Sequence, residues 1–182
     1  MADILFFTGG TRSGKSRLAE IEAEARAEVF GREVVYLATC RVGDEELSER
    51  VRRHRERRPP HWRTVEEPLA PESVLAEKAD HSRVVILECL SFLLFNWMER
   101  GDSDDAIIQS IDRLLTTARG GSDDLIVVSN EVGFSLIAPD PVSRRYQELL
   151  GRINQRVAAA ADRVVLAVAG LPLAVKPGAS RP

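Results

Sequence analysis

A chain of 182 residues is long enough for one domain with a sizeable core, and its formal charge of −3 excludes a general nucleic-acid binder, which would be basic over much of its surface. The two cysteines, Cys40 and Cys89, show no C-x-x-C spacing, which argues against a zinc site or disulfide framework; with no signal segment, a cytoplasmic location is expected. The apolar clusters are too short or too interrupted to cross a bilayer.

The first element is a short apolar run, Ile4 to Phe7, suited to a buried strand. It leads into Gly9-Gly10-Thr11-Arg12-Ser13-Gly14-Lys15-Ser16, which fits the Walker A pattern G-x-x-x-x-G-K-[ST]. The physics of such a loop is specific. Gly9 and Gly14 let successive backbone N–H groups turn inward toward phosphate oxygens, and the positive end of the following helix adds to that field. Lys15 is expected to reach the β and γ phosphates, and the Ser16 hydroxyl to coordinate Mg²⁺. The helix itself is expected to turn Leu18, Ile21, Ala25 and Val29 inward and to end at Gly31.

Val34 to Ala38 reads as a second buried strand, with Thr39 and Cys40 at its carboxyl end, where ligands gather in parallel α/β sheets. Asp44, Glu45 and Glu46 then start a helix that Pro59 and Pro60 stop. Leu47, Val51 and His54 recur at helical spacing, which puts the histidine on the protein-facing side among Arg50, Arg52, Arg53, Arg55, Arg57 and Arg58. Such a histidine can be a plain packed residue, and an arginine run can be a solvated face. Beside a phosphate loop the same groups would draw in a polyphosphate and keep the imidazole neutral, able to attack phosphorus.

Beyond the prolines, Trp62 to Glu66 reads as an extended segment and Pro71 to Ala79 as a short helix. Val84 to Leu87 is the next buried strand, closed by Glu88; an apolar strand ending in a carboxylate is the Walker B form, where the carboxylate assists Mg²⁺ directly or through water. Ser91 to Met98 is apolar on nearly every side, as in a helix buried in the core or in a subunit contact. Asp102 to Asp105 opens a helix whose apolar face is Ile107, Ile108, Ile111, Leu114 and Leu115, ended by Gly120 and Gly121. Leu125 to Val128 is a further strand, followed by Ser129, Asn130 and Glu131. Pro141 opens a long helix, Val164 to Val168 is the last expected strand, and Lys176 to Pro182 reads as a loose tail. Strands alternating with helices predict a single three-layer α/β domain over residues 1–175, with a mostly parallel sheet and the P-loop NTPase fold.

Several segments together resemble one family, the bifunctional adenosylcobinamide kinase and adenosylcobinamide-phosphate guanylyltransferase of cobalamin biosynthesis. They are the octet Gly9 to Ser16, the strand end Tyr36 to Thr39, the segment Arg50 to Trp62, Leu87 to Leu90, Val128 to Gly133 and Gly151 to Gln155. The resemblance implies that an NTP, ATP or GTP, phosphorylates the aminopropanol hydroxyl of adenosylcobinamide. GTP then gives GMP to that phosphate, releasing pyrophosphate. It implies that a histidine at the position of His54 carries GMP covalently, and that GTP is contacted by Gly9, Gly10, Thr11, Arg12, Ser13, Gly14, Lys15, Ser16, Ala38, Thr39, Cys40, Arg55, Glu56, Arg57, Arg58, Glu66 and Glu88. Many relatives have Asp where this chain has Glu88, and the longer arm bears on the metal distance. His61 lies in the same segment, but the family motif and the helical face favour His54. A homo-oligomer, a trimer, is implied as well. Two other readings of the residues remain. A monofunctional kinase would form no labelled enzyme, and a nucleotide-dependent interaction module would bind GTP without transfer to a corrinoid.

Overall fold

The structure, a computed structural model, describes residues 2–41, 49, 52, 55–56, 58–134 and 138–178. Seven strands form one sheet: β1 (Ile4–Gly9), β2 (Val34–Ala38), β3 (Arg63–Glu66), β4 (Val84–Glu88), β5 (Asp124–Asn130), β6 (Arg163–Val168) and β7 (Leu171–Lys176). Their order is β3-β2-β4-β5-β1-β6-β7, with parallel pairing everywhere except between β6 and β7. The helices are α1 (Lys15–Phe30), α2 (Glu72–Ala76), α3 (Leu90–Glu99), α4 (Asp104–Gly120) and α5 (Pro141–Ala160).

The continuous apolar runs of β1, β2, β4 and β5 follow from burial on both faces. Alternate residues feed two cores. Ile4, Phe6, Val35, Leu37, Val85 and Leu87 pack with α2, α3, α4 and α5, whereas Leu5, Phe7, Val34, Tyr36, Val84 and Ile86 pack with α1. The result is three layers, helix, sheet and helix, as the alternation of elements predicts.

Local signals set several helix ends. Gly31 caps α1 in the left-handed region, with its N–H on the Ala27 carbonyl; Ser103 Oγ accepts the Ala106 N–H at the start of α4; Asp140 accepts the Ser143 N–H ahead of Pro141. Trp97, expected in a buried helix, is fully enclosed in α3 and donates from Nε1 to the Leu69 carbonyl at 2.8 Å. Among the described residues no helix is long and apolar enough to cross a membrane.

Two expectations need correction. Of the apolar stripe expected on α1, Leu18 packs against the core, but Ile21, Ala25 and Val29 do not: Ile21 and Val29 are 56% and 74% exposed, and the buried positions are Lys15, Ala19, Ala23 and Ala27. Alanine lets the helix axis approach the sheet closely, and Ile21, Val29 and Phe30 are left outside. The sheet also does not end at Val168. A tight turn at Ala169 and Gly170 sends the chain back as β7, whose last residue is Lys176, assigned above to the tail; its Nζ donates to the carbonyls of Ala158, Ala159 and Ala161. Residues 179–182 of that tail lie outside the described residues.

Candidate nucleotide and metal site

The glycine-rich octet leaves the carboxyl end of β1, the strand between β5 and β6, and becomes α1 at Lys15. Gly14 has φ +92°, a conformation that a side chain rarely adopts. At Gly9 a Cβ would lie 2.6 Å from both the Ala167 carbonyl oxygen and Ser13 Oγ, so the loop closes down only on a residue without one. α1 starts with no side-chain cap and no acidic residue in its first turn, which leaves N–H groups and the positive helix end to a bound anion. Thr8 Oγ1 and Ser13 Oγ beside the loop are buried without a hydrogen-bond partner among the described residues.

Lys15 is 7% exposed, and its Nζ donates to the Gly10 carbonyl at 3.1 Å, so the ammonium folds back over the loop. Ser16 Oγ donates to Glu88 Oε1 at 2.7 Å, across 72 residues of sequence. The other carboxylate oxygen, Oε2, is buried with no hydrogen-bond partner among the described residues. A hydroxyl and a free carboxylate oxygen at a phosphate loop are the hard donors that Mg²⁺ takes, so the residues present fit that ion, with Glu88 reaching Ser16 despite its longer arm. Burial pushes the Glu88 carboxyl up to about 7. The Ser16 bond and the Lys15 charge oppose that rise, Glu20 adds to it and Arg58 opposes it.

Three of the sequence-predicted residues share one level of the sheet: Ala38 is in register with Glu66 on one side and with Glu88 on the other. Thr39 follows, fully buried. Its N–H donates to the Glu88 carbonyl, its hydroxyl to the Cys89 carbonyl at 2.8 Å, and its own carbonyl accepts from Asn96 Nδ2 at 2.8 Å. Each polar group of Thr39 therefore has a partner inside the fold. Asn96, on α3, also donates to the Pro68 carbonyl at 2.9 Å, which ties the ends of β2 and β3 to one helix. Cys40 is half-buried, and Glu66 is exposed at the end of β3.

Of the arginine segment, His54 and Arg57 lie outside the described residues. Arg55 and Glu56 are exposed in helical backbone, and Glu56 accepts from Arg52. Arg58 is half-buried with its guanidinium 3.4 Å over the Tyr36 ring, donates to Thr64 Oγ1, and keeps a buried Nε without a partner among the described residues. Burial and the Glu88 charge push the Tyr36 phenol well up, against the Arg58 charge. Trp62 Nε1 donates to Glu24 Oε2 at 2.6 Å, and His61 Nε2 lies 3.3 Å from Glu24 Oε1, so both side chains are fastened to α1. Sequence reading alone did not find Tyr36 as the shelf under Arg58, Asn96 as the tie, or Glu24 as the anchor. Each looks like an ordinary strand or helix residue until the fold supplies its partner.

A parallel sheet with a glycine-rich loop after β1, a Lys-Ser helix start and a strand-end carboxylate facing that serine define a P-loop NTPase. Two solved structures share the fold with a TM-score of 0.55: the flagellar accessory protein FlaH from Methanocaldococcus jannaschii, 12% identical and covering 97% of this chain and 79% of that one, and the KaiC-like protein PH0186 from Pyrococcus horikoshii OT3, 15% identical and covering 90% and 70%. Within this class the chain belongs to the cobinamide kinase / cobinamide phosphate guanyltransferase family, whose model matches residues 5–175. It is 38% identical to the bifunctional adenosylcobalamin biosynthesis protein CobP of Pseudomonas aeruginosa PAO1, over 97% of this chain and 98% of that protein. It is 33% identical to the bifunctional adenosylcobalamin biosynthesis protein CobU of Escherichia coli K12, over 95% and 99%.

Proposed function

We propose that this chain phosphorylates the aminopropanol hydroxyl of adenosylcobinamide with an NTP, and then transfers GMP from GTP through His54 to that phosphate, giving adenosylcobinamide-GDP and pyrophosphate in adenosylcobalamin biosynthesis. As a member of its family the chain is a bifunctional enzyme, a kinase and a guanylyltransferase. The finer reading is supported chiefly by one observation, the Ser16–Glu88 bond that sets a carboxylate with a free oxygen beside the phosphate loop.

In the kinase step the loop N–H groups and Lys15 hold the β and γ phosphates. The corrinoid hydroxyl oxygen attacks the γ-phosphorus, the bond to the β–γ bridging oxygen breaks, and the hydroxyl proton is released. In the guanylyl step a neutral ring nitrogen of His54 attacks the α-phosphorus of GTP and pyrophosphate leaves. A phosphate oxygen of the corrinoid then displaces the imidazole. Arg55, Arg57 and Arg58 offset charge on the transferring group, with Arg58 held in place by Tyr36. Ser16 and Glu88 would hold Mg²⁺, which supplies charge neutralisation between phosphates. Ala38, Cys40 and Glu66 meet GTP, whereas Thr39, with its polar groups engaged inside the fold, acts by fixing its neighbours. Residues 1–175 act as one domain, and the enzyme assembles as a cytoplasmic homotrimer that uses the α3 region, where Phe95 is 54% exposed.

The test is incubation with α-labelled GTP followed by denaturation. The expected result is acid-labile, alkali-stable label on the wild-type chain, lost in His54→Ala and kept in His61→Ala, while folded His54→Ala still phosphorylates the corrinoid. A folded His54→Ala protein that makes adenosylcobinamide-GDP at the normal rate overturns the covalent route. A monofunctional kinase would take up no label, and an interaction module would bind GTP and turn over neither substrate.

A further inference from the structure

The turn between β6 and β7 touches the phosphate loop. Ala169 and Gly170 have φ +51° and +83°, positive at both central positions as in the tight hairpin turns. From this turn the Gly170 N–H donates to the Ser13 carbonyl at 2.8 Å, and a Cβ on Gly14 would lie 3.0 Å from Gly170 Cα. The Ser13 carbonyl and the Gly14 N–H belong to one planar trans peptide, so they point in opposite directions. A donor that holds the carbonyl from the hairpin side thereby turns the Gly14 N–H away from the hairpin, toward the interior of the loop.

We propose that the β6–β7 turn is a positioning element of the phosphate loop: the Gly170 N–H fixes the Ser13–Gly14 peptide so that the Gly14 N–H is aimed at a bound nucleotide phosphate. The inference rests on the reading of the octet as a nucleotide site and adds a residue some 156 positions beyond Gly14 to it. It also accounts for β7, all of whose residues are exposed, so that the strand adds little to either core. The strand's contribution is the turn it closes.

A Cβ at Gly170 would meet nothing within 4 Å, so the first atom of a side chain has room and tolerance of positive φ is what separates the substitutions. Asparagine enters the left-handed region readily; a β-branched residue does not. Gly170→Asn is therefore expected to bind a fluorescent GTP analogue nearly as wild type. Gly170→Val is expected to bind it roughly ten- to a hundredfold more weakly, the loss of one charge-assisted N–H contact. Its melting temperature without nucleotide should stay close to that of wild type. A folded Gly170→Val protein with wild-type affinity overturns the inference and leaves the nucleotide reading standing; a wild-type chain that binds no GTP overturns both. If Gly170→Val does not fold, amide exchange in the wild-type protein decides. By reciprocity of linkage, saturating GTP should slow exchange of the Gly170 N–H about tenfold relative to the β7 amides. Equal rates with and without GTP sink the proposal.

Discussion

Glu88 carries opposing demands. Its carboxylate is wanted charged beside Ser16, yet burial has raised its pKa to about 7. A folded-state value above the ordinary 4.5 means that the folded chain holds the proton longer than the unfolded chain does. Stability should therefore fall as pH rises from about 4.5 to 7, by no more than roughly 3 kcal/mol. Glu88→Gln, which removes the ionisation and keeps the shape, is expected to melt higher than wild type at pH 8 in EDTA, with the gain vanishing below pH 5. The same variant should turn over more slowly and need more Mg²⁺; an unchanged Mg²⁺ titration and an unchanged melting curve would return Glu88 to an ordinary strand end. For Lys15, buried over the loop, the proposed assignment of its one ammonium to the phosphates of either reaction predicts that Lys15→Ala loses both transfers, at about 1.5 to 3 kcal/mol per contact. Near-normal turnover of either substrate at saturating nucleotide would contradict that assignment.

Helix α1 is where element-scale reasoning departs most from hydrophobic periodicity. Its inner stripe is Ala19, Ala23 and Ala27, and its outer face carries Ile21, Val29 and Phe30. Ala23→Leu is therefore expected to destabilise the fold by about 1 to 3 kcal/mol through overpacking against the sheet, whereas Val29→Ser should cost under about 0.5 kcal/mol. Urea titration of both variants checks the contrast, and the reverse order would show the helix turned the other way. The octet was legible because phosphate chemistry demands fixed residue types at fixed spacing, so Gly9, Gly14, Lys15 and Ser16 announce themselves. The strands announced themselves too, as double-sided burial produces unbroken apolar runs. The α1 face was not legible, because close helix–sheet approach selects small residues that periodicity scoring passes over. Nor was β7: Pro172 breaks its strand pattern, and exposure of every residue removes the burial signal. The ties made by Tyr36, Asn96 and Glu24 are long-range pairings that no local pattern encodes.

Across the whole molecule, stability and chemistry sit at opposite ends of the strands. At the amino ends of β4 and β5, Arg83 is 3% exposed and donates to Asp123 through its backbone N–H, Nε and Nη2, and to the Val74 carbonyl. Nearby, Asp124 accepts from both Arg26 and Arg32, and Arg26 also reaches Asp3. Arg83→Met strands a buried carboxylate and is expected to cost about 3 to 5 kcal/mol, much of it regained on adding Asp123→Leu. Measured by urea unfolding, this loss should leave the GTP dissociation constant of the folded fraction unchanged; a shifted constant would show the two ends to be coupled. The sheet order has a kinetic corollary. β1, which launches the phosphate loop, pairs with β5 through Ile4↔Leu125 and with β6 through Leu5↔Arg163. Both partners lie more than a hundred residues downstream, so the loop's geometry belongs to the slowest class of contacts, those that must close the longest stretches of chain. On a ribosome, the octet after β1 emerges well before β5, β6 and the turn after them, the elements that its strand and loop pair with. Nucleotide present during synthesis is therefore expected to stabilise the fold only once β5 and β6 have followed, acting as a late clasp and not as an early template.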